Sequence, residues 1–313
     1  MRQEIVVGSR DSRLAMWQAE WVVENLRRLY PGRVFRVVGM KTKGDNILDA
    51  ALAKLGDKGL FTKELEMAML RGEIDMAVHS MKDLPTELPR GLIIGAVCRR
   101  EHPGDVLISK RGLNLDELPA GAVIGTSSLR RTAQLLNYRP DFRMAVMRGN
   151  LLTRLRKLEE TDIDATVLAY AGIHRLNLGD RITQLIPFDV SLPAVGQGSI
   201  GIEIKEDDRE IAEIAAAIDH PFSRAAITAE RGLMRRLEGG CQVPIGALGL
   251  VDGDELLLEG VVASLDGKLL IRRSLTGPLG DPAGLGVRLA EDMLKQGAGE
   301  ILRMVRREFD VNE

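Results

Sequence analysis

The stretch Leu237-Glu238-Gly239-Gly240-Cys241-Gln242-Val243-Pro244 sets a thiol between backbone constraints. Two glycines open a path closed to other residues, and the proline fixes it downstream. A thiolate presented there is a soft nucleophile that can carry a covalent group. From this stretch alone, an ordinary cysteine buried in a turn stays open and is the commoner outcome. The basic residues shift the balance. Arg10, Arg130-Arg131, Arg148 and Arg175 each stand where a predicted strand turns into a predicted helix. Arginine at a helix N-terminus is mildly unfavourable by itself and favourable around a carboxylate or phosphate. Repetition of the pattern in two α/β halves predicts one cleft lined with guanidinium, suited to a ligand with several carboxylates. His79-Ser80-Met81-Lys82-Asp83 follows a predicted strand at 74–78, and the carboxyl end of a strand is where open α/β sheets bind ligands. Asp83 is the leading acid/base or cation-stabilising carboxylate, with a plain surface pair to Lys82 as the alternative. His79 by itself reads as a structural histidine.

The elements that must position these groups follow from periodicity and turn signals. Ile5-Val6-Val7 reads as a buried strand, with a helix over 13–30 capped by Ser12 and a second strand at 34–38. Strand, helix, strand in that order implies a parallel pair with a crossover helix. Residues 53–61, with Lys54, Lys58 and Phe61, read as a cationic loop or a plain connector, followed by a helix over 62–71 and a strand at 91–97. A second α/β set has strands at 122–125, 144–147 and 165–169, with helices opening after Thr126-Ser127-Ser128 and at Asn150. Gly196-Gln197-Gly198-Ser199-Ile200-Gly201 fits the dinucleotide pattern, but that pattern must open a helix, and here a strand at 200–204 follows. A chain crossing between domains is the reading, and a nicotinamide-dependent oxidoreductase is rejected. Helices over 208–218 and 222–238 precede three strands at 246–251, 255–264 and 268–276, joined at Asp252-Gly253 and Asp266-Gly267. The predicted division is residues 1–99 with 199–218, then 104–194, then 220–313.

Bulk properties exclude several classes. A chain of 313 residues exceeds what one core usually serves. Aromatics at 4% argue against a nucleic-acid stacking platform, and a net charge of −2 leaves only local clusters to attract anions. Cys98 and Cys241 are too few for a disulfide framework or a four-ligand zinc site. No apolar signal region opens the sequence and no run is long enough to cross a bilayer, so a cytoplasmic location is expected.

Four stretches occur together and in order: Val78-His79-Ser80-Met81-Lys82-Asp83, Gly125-Thr126-Ser127-Ser128-Leu129-Arg130-Arg131, Leu192-Pro193-Ala194-Val195-Gly196-Gln197-Gly198 and Glu238-Gly239-Gly240-Cys241-Gln242-Val243-Pro244. With them the chain resembles the porphobilinogen deaminase (hydroxymethylbilane synthase) family over nearly its whole length. The resemblance implies an α/β fold of two type II periplasmic-binding-protein-like domains and a small C-terminal α+β domain with a three-stranded antiparallel sheet. It implies a dipyrromethane cofactor joined by a thioether to Cys241, and stepwise addition of four porphobilinogen units with release of ammonia. Hydrolysis then frees hydroxymethylbilane, in tetrapyrrole and haem biosynthesis. Asp83 matches the family's catalytic aspartate, beside an electron-poor azafulvene cation. Lys82, Ser128, Arg130, Arg131, Arg154, Gly172 and Asp83 match cofactor positions, while Arg10, Ser12, Arg148, Arg175, Gln197, Phe61, Ser80 and Asn150 match substrate positions. Lys54 and Lys58 match a mobile loop. The implied protein is a monomer with a small-molecule substrate and neither nucleic-acid nor membrane partner. Asp57, Ser199 and Lys205 depart from the family's more usual residues without touching that chemistry. The rival class is a non-catalytic anion-binding protein, in which the Gly-Gly-Cys stretch has no role.

Overall fold

The computed structural model describes residues 2–42, 62–237 and 243–310. Two compact units divide the described residues, one built from 2–42, 62–101 and 199–224, the other from 102–198, 225–237 and 243–310.

The first unit contains β1 (Glu4–Arg10), α1 (Arg13–Leu29), β2 (Val34–Met40), α2 (Lys63–Leu70), β3 (Met76–Ser80) and β4 (Leu92–Val97). Two elements from far down the chain join them, β10 (Ile200–Lys205) and α6 (Arg209–Ala216). The sheet runs β2-β1-β3-β10-β4. β1 lies parallel to β2 and β3, and β10 is antiparallel to both of its neighbours. Ile5 and Val7, two apart on one face of β1, are fully buried, and Val6 on the other face packs partly buried against the Leu65 and Met69 cluster. α1 covers it with Ala19, Val22, Val23 and Leu26, spaced three and four apart on one stripe. Its N-cap is Ser12, whose hydroxyl accepts from the Ala15 amide, as predicted.

The site-bearing strand ends later than its sequence suggests. β3 includes His79 and Ser80, and Asp83 closes a single 3-10 turn over Met81–Asp83. The Met81 amide donates to the Ser199 carbonyl at 3.0 Å, so the entry to β10 braces the turn. The Gly-x-Gly-x-x-Gly stretch does run into a strand, not a helix.

The second unit holds β5 (Asp105–Ser109), β6 (Val123–Gly125), α3 (Leu129–Tyr138), β7 (Arg143–Ala145), α4 (Leu151–Glu160), β8 (Ala165–Ala169), α5 (Tyr170–Arg175) and β9 (Gln184–Leu185). Their order is β7-β6-β8-β5-β9, with β6 parallel to β7 and β8 and β5 antiparallel to β8 and β9. Helix α7 (Pro221–Arg236) leads to β11 (Ile245–Asp252), β12 (Glu255–Ala263) and β13 (Leu270–Pro278), an antiparallel meander. α8 (Pro282–Lys295) and α9 (Ala298–Asp310) pack on it. The β11–β12 turn needs a left-handed residue and has Gly253 at φ +58°. The architecture is therefore two α/β sheets, each parallel in part and crossed by antiparallel strands, with a C-terminal α+β element.

Two contacts fasten the crossing segment and the C-terminal core. Fully buried Glu230 accepts from the Gly196 amide at 2.7 Å and the Gly249 amide at 2.8 Å. Gly286 of α8 lies so close to the Ala229 carbonyl of α7 that a Cβ has no space. Gly286→Ala is expected to cost about 1–3 kcal/mol through overpacking, a loss that urea denaturation would measure.

Candidate functional site

In the first unit Arg10, Ser12, Gln18, His79, Ser80 and Asp83 line one solvent-open pocket. β1 delivers Arg10 at its carboxyl end, and the turn after β3 delivers Asp83 beside it. Arg10 Nη1 lies 4.0 Å from Asp83 Oδ2, and Asp83 keeps 35% of its side-chain exposure, so its carboxylate faces the pocket. Ser80 is held by buried Gln18, whose amide exchanges hydrogen bonds with its hydroxyl at 3.0 and 3.2 Å. Lys82 is half-buried on the same turn.

In the second unit the predicted arginines do not simply face outward. Arg130 and Arg131, in the first turn of α3, are about 5% exposed. Both converge on Asp105, with Arg130 Nη1 to Oδ2 at 2.8 Å and Arg131 Nη2 to Oδ1 at 2.7 Å. Gln197 Nε2 donates to the same Oδ1 at 2.9 Å and to the Pro103 carbonyl at 2.7 Å. Burial alone would raise the Asp105 carboxyl; the Arg130 and Arg131 charges overcome it and hold the group well below the usual carboxylate range. Burial, with Arg131 adding repulsion, lowers Arg130 against the pull of Asp105. Two guanidinium groups thus share one carboxylate, and one positive charge remains locally uncompensated.

Asn150 and Ser128 cap α4 and α3, accepting from the Thr153 and Arg131 amides. Arg154 is half-buried and donates to the Gly149 carbonyl at 2.9 Å. Arg175 donates to the Gly198 carbonyl at 2.6 Å, and Gly172 is buried in α5. Cys241, Phe61, Lys54 and Lys58 lie outside the described residues. Asp105, Gln18, Glu203 and Glu230 were not singled out by sequence. Asp105 carries the clearest missed signal, a lone acid opening an apolar strand, which must be paired to be buried. No helix among the described residues is long and apolar enough to cross a membrane, and no metal-binding group occurs among them.

Comparison with known proteins shows the family. A family model described as "Porphobilinogen deaminase, dipyromethane cofactor binding domain" matches residues 5–213, and one described as "Porphobilinogen deaminase, C-terminal domain" matches residues 224–295. The chain belongs to the porphobilinogen deaminase family. Porphobilinogen deaminase of Pelotomaculum thermopropionicum is 67% identical over 308 residues, covering 98% of this chain and 99% of its own length. That of Carboxydothermus hydrogenoformans is 59% identical and covers 100% of both. That of Desulforudis audaxviator is 61% identical, covering 98% and 99%. As a porphobilinogen deaminase homologue the chain is an enzyme of tetrapyrrole synthesis, and it has the family's dipyrromethane cofactor-binding domain.

The residues present fit that cofactor. A dipyrromethane carries acetate and propionate groups and calls for donors that the protein itself leaves unfilled. Arg130 Nε, Arg131 Nε and Arg148 Nη1 are buried with no protein acceptor. Buried donors in that state cost free energy unless an acceptor reaches them. Carboxylates would supply one, at helix N-termini that already favour anions.

Proposed function

We propose that the chain is a transferase that joins four porphobilinogen units head to tail on a dipyrromethane primer held through a thioether at Cys241. Ammonia leaves at each addition, and water finally releases hydroxymethylbilane. The observation that carries the site assignment is Asp83 and Arg10 at the ends of adjacent strands, in one open pocket. The primer would supply the free pyrrole carbon to which the first unit is joined, and each added unit the carbon for the next. Arg10, Ser12 and Ser80 bind substrate carboxylates, with Lys82 holding those of the primer. Asp83 stabilises the cation left when the amine departs, and accepts the proton shed as the carbon–carbon bond forms. Arg130, Arg131, Arg154, Ser128 and Gly172 hold the cofactor. Arg148, Arg175, Asn150, Gln197 and Phe61 hold substrate, and Lys54 and Lys58 belong to the loop over it.

The same reading divides the chain into residues 1–99 with 199–218, 104–194 and 220–313, and makes it a cytoplasmic monomer. As isolated, the protein should exceed its chain mass, with the excess on the peptide containing Cys241, and should release ammonia from porphobilinogen. An unmodified Cys241 together with no ammonia would indicate the non-catalytic anion binder instead.

A further inference from the structure

Helix α3 carries Arg130 in its first turn and Gln134 one turn later, a spacing that sets both on one helix face. Both side chains are buried. They meet the peptide of Leu192, in the segment that leads to β10. Gln134 Nε2 donates to the Leu192 carbonyl at 3.1 Å, and the Leu192 amide donates back to Gln134 Oε1 at 2.8 Å. Nε2 also reaches the Arg130 carbonyl at 3.3 Å. The side-chain amide thus pairs with Leu192 as the backbone of a neighbouring strand would. An amide side chain has the donor and acceptor side by side that this requires.

The same Leu192 carbonyl accepts from Arg130 Nη1 at 2.6 Å. Asp105 Oδ2 at 2.8 Å and Ser191 Oγ at 3.3 Å accept from that nitrogen too. Arg130 Nε is left buried with no protein acceptor. A guanidinium is planar and rigid, so acceptors that fix Nη1 also fix the direction in which Nε points.

Leu192 is held from its other side as well. Its side chain is fully buried with Leu248 of β11 and Val261 of β12. The Ala247 amide donates to the carbonyl of the next residue, Pro193, at 3.0 Å. A Cβ on Gly246 would stand 2.9 Å from the Leu192 carbonyl oxygen. β11 opens four residues after Cys241. All the contacts lie within the second unit. One peptide is therefore gripped by α3 on one side and by the C-terminal sheet on the other.

We propose that Gln134 is a positioning residue for Arg130. By holding the Leu192 peptide it aims Arg130 Nε at a cofactor carboxylate, and it fixes that guanidinium relative to the strand that follows the cofactor's tether. The primer carries its carboxylates a set number of bonds from sulfur, so this spacing decides whether thioether and ion pair form together. The proposal rests on the cofactor role of Arg130 given above. Excess mass on the Cys241 peptide of the unaltered protein tests that role separately, and its absence would remove both.

A glutamine that only joined a helix to a segment would affect stability and nothing else. Asn137 supplies that comparison. Its Nδ2 donates to the Gly267 carbonyl at 2.8 Å, tying the last turn of α3 to the β12–β13 turn. Gln134→Met keeps the length of the side chain and removes its hydrogen bonds. Its kcat should fall roughly tenfold with KM within about twofold, short of the ~100-fold that a 1 Å misplacement can cost. The fraction of intact protein that carries the cofactor mass should fall with it. Asn137→Ala should lower the melting temperature comparably, since it too removes a hydrogen bond, and leave kcat and the cofactor fraction unchanged. Gln134→Asn keeps the amide but withdraws it by one methylene. It should shift kcat and cofactor fraction in the same direction, and it serves where the Met variant does not fold. A folded Gln134 variant with full cofactor fraction and unchanged kcat would overturn the proposal, as would an equal loss of both in Asn137→Ala.

Discussion

Asp83→Asn should reduce ammonia release from porphobilinogen about 10²–10³-fold, the scale at which one preorganised charge-stabilising group acts. The substitution keeps size and removes the charge that the proposed mechanism places beside the developing cation. Asp83 sits on a short turn whose backbone is held by Met81 and Ser199, so the neutral side chain should occupy the same place. Its ionic partner is Arg10 at 4.0 Å, with both side chains partly exposed. Such a pair contributes at most about 1 kcal/mol, so the melting temperature should barely change. KM should move little if Arg10, Ser12 and Ser80 carry the binding. Initial-rate ammonia release, with thermal denaturation on the same sample, separates the effects. Retention of more than a tenth of the rate would remove Asp83 from the chemistry.

Asp105→Asn should act in the opposite sense, on stability first. It leaves Arg130 and Arg131 buried about 5% exposed with no counter-charge. Breaking a buried pair from one side costs about 3–5 kcal/mol, here with two cations stranded. It also weakens the acceptor for Gln197 and so the hold on the crossing segment. Denaturant unfolding would show the loss, and a cost below about 1 kcal/mol would mean that the cluster relaxes toward water. The pH dependence has a definite sign. Because the folded carboxyl is depressed, its contribution is complete above the unfolded value of about 3.8 and disappears only as pH falls through the folded value, well into acid. Acidification to pH 4 should therefore leave this cluster intact.

Much of the scaffold was legible because it depends on local rules. Ser12, Ser128, Asn150 and Asp208 each cap the helix they precede. Gly253 and Gly267 adopt positive φ at the meander turns. The Gly-x-Gly-x-x-Gly stretch runs into a strand, as its sequence led one to expect. What sequence did not convey was partnership across long separations. Arg130 and Arg131 were legible as a helix-start anomaly, but their protein counter-charge lies on β5, more than twenty residues upstream. His79 was read as structural because Glu203, its partner, lies over a hundred residues away. A single acid in an apolar strand was the available signal in both cases, and it announces a partner without naming it.

The late arrival of β10 bears on how the enzyme is made. In the finished sheet β10 separates β3 from β4, so β4 has no neighbour until residues 200–205 are present. On the ribosome the first unit must therefore wait through the synthesis of residues 102–198 with the far side of β3 unpaired. Exposed strand edges of this kind attract wrong partners. The turn bearing Asp83 gains its brace from Ser199 only at the end of that interval. A nascent chain arrested before β10 would expose an edge of that kind, and it would hold Asp83 on an unbraced turn.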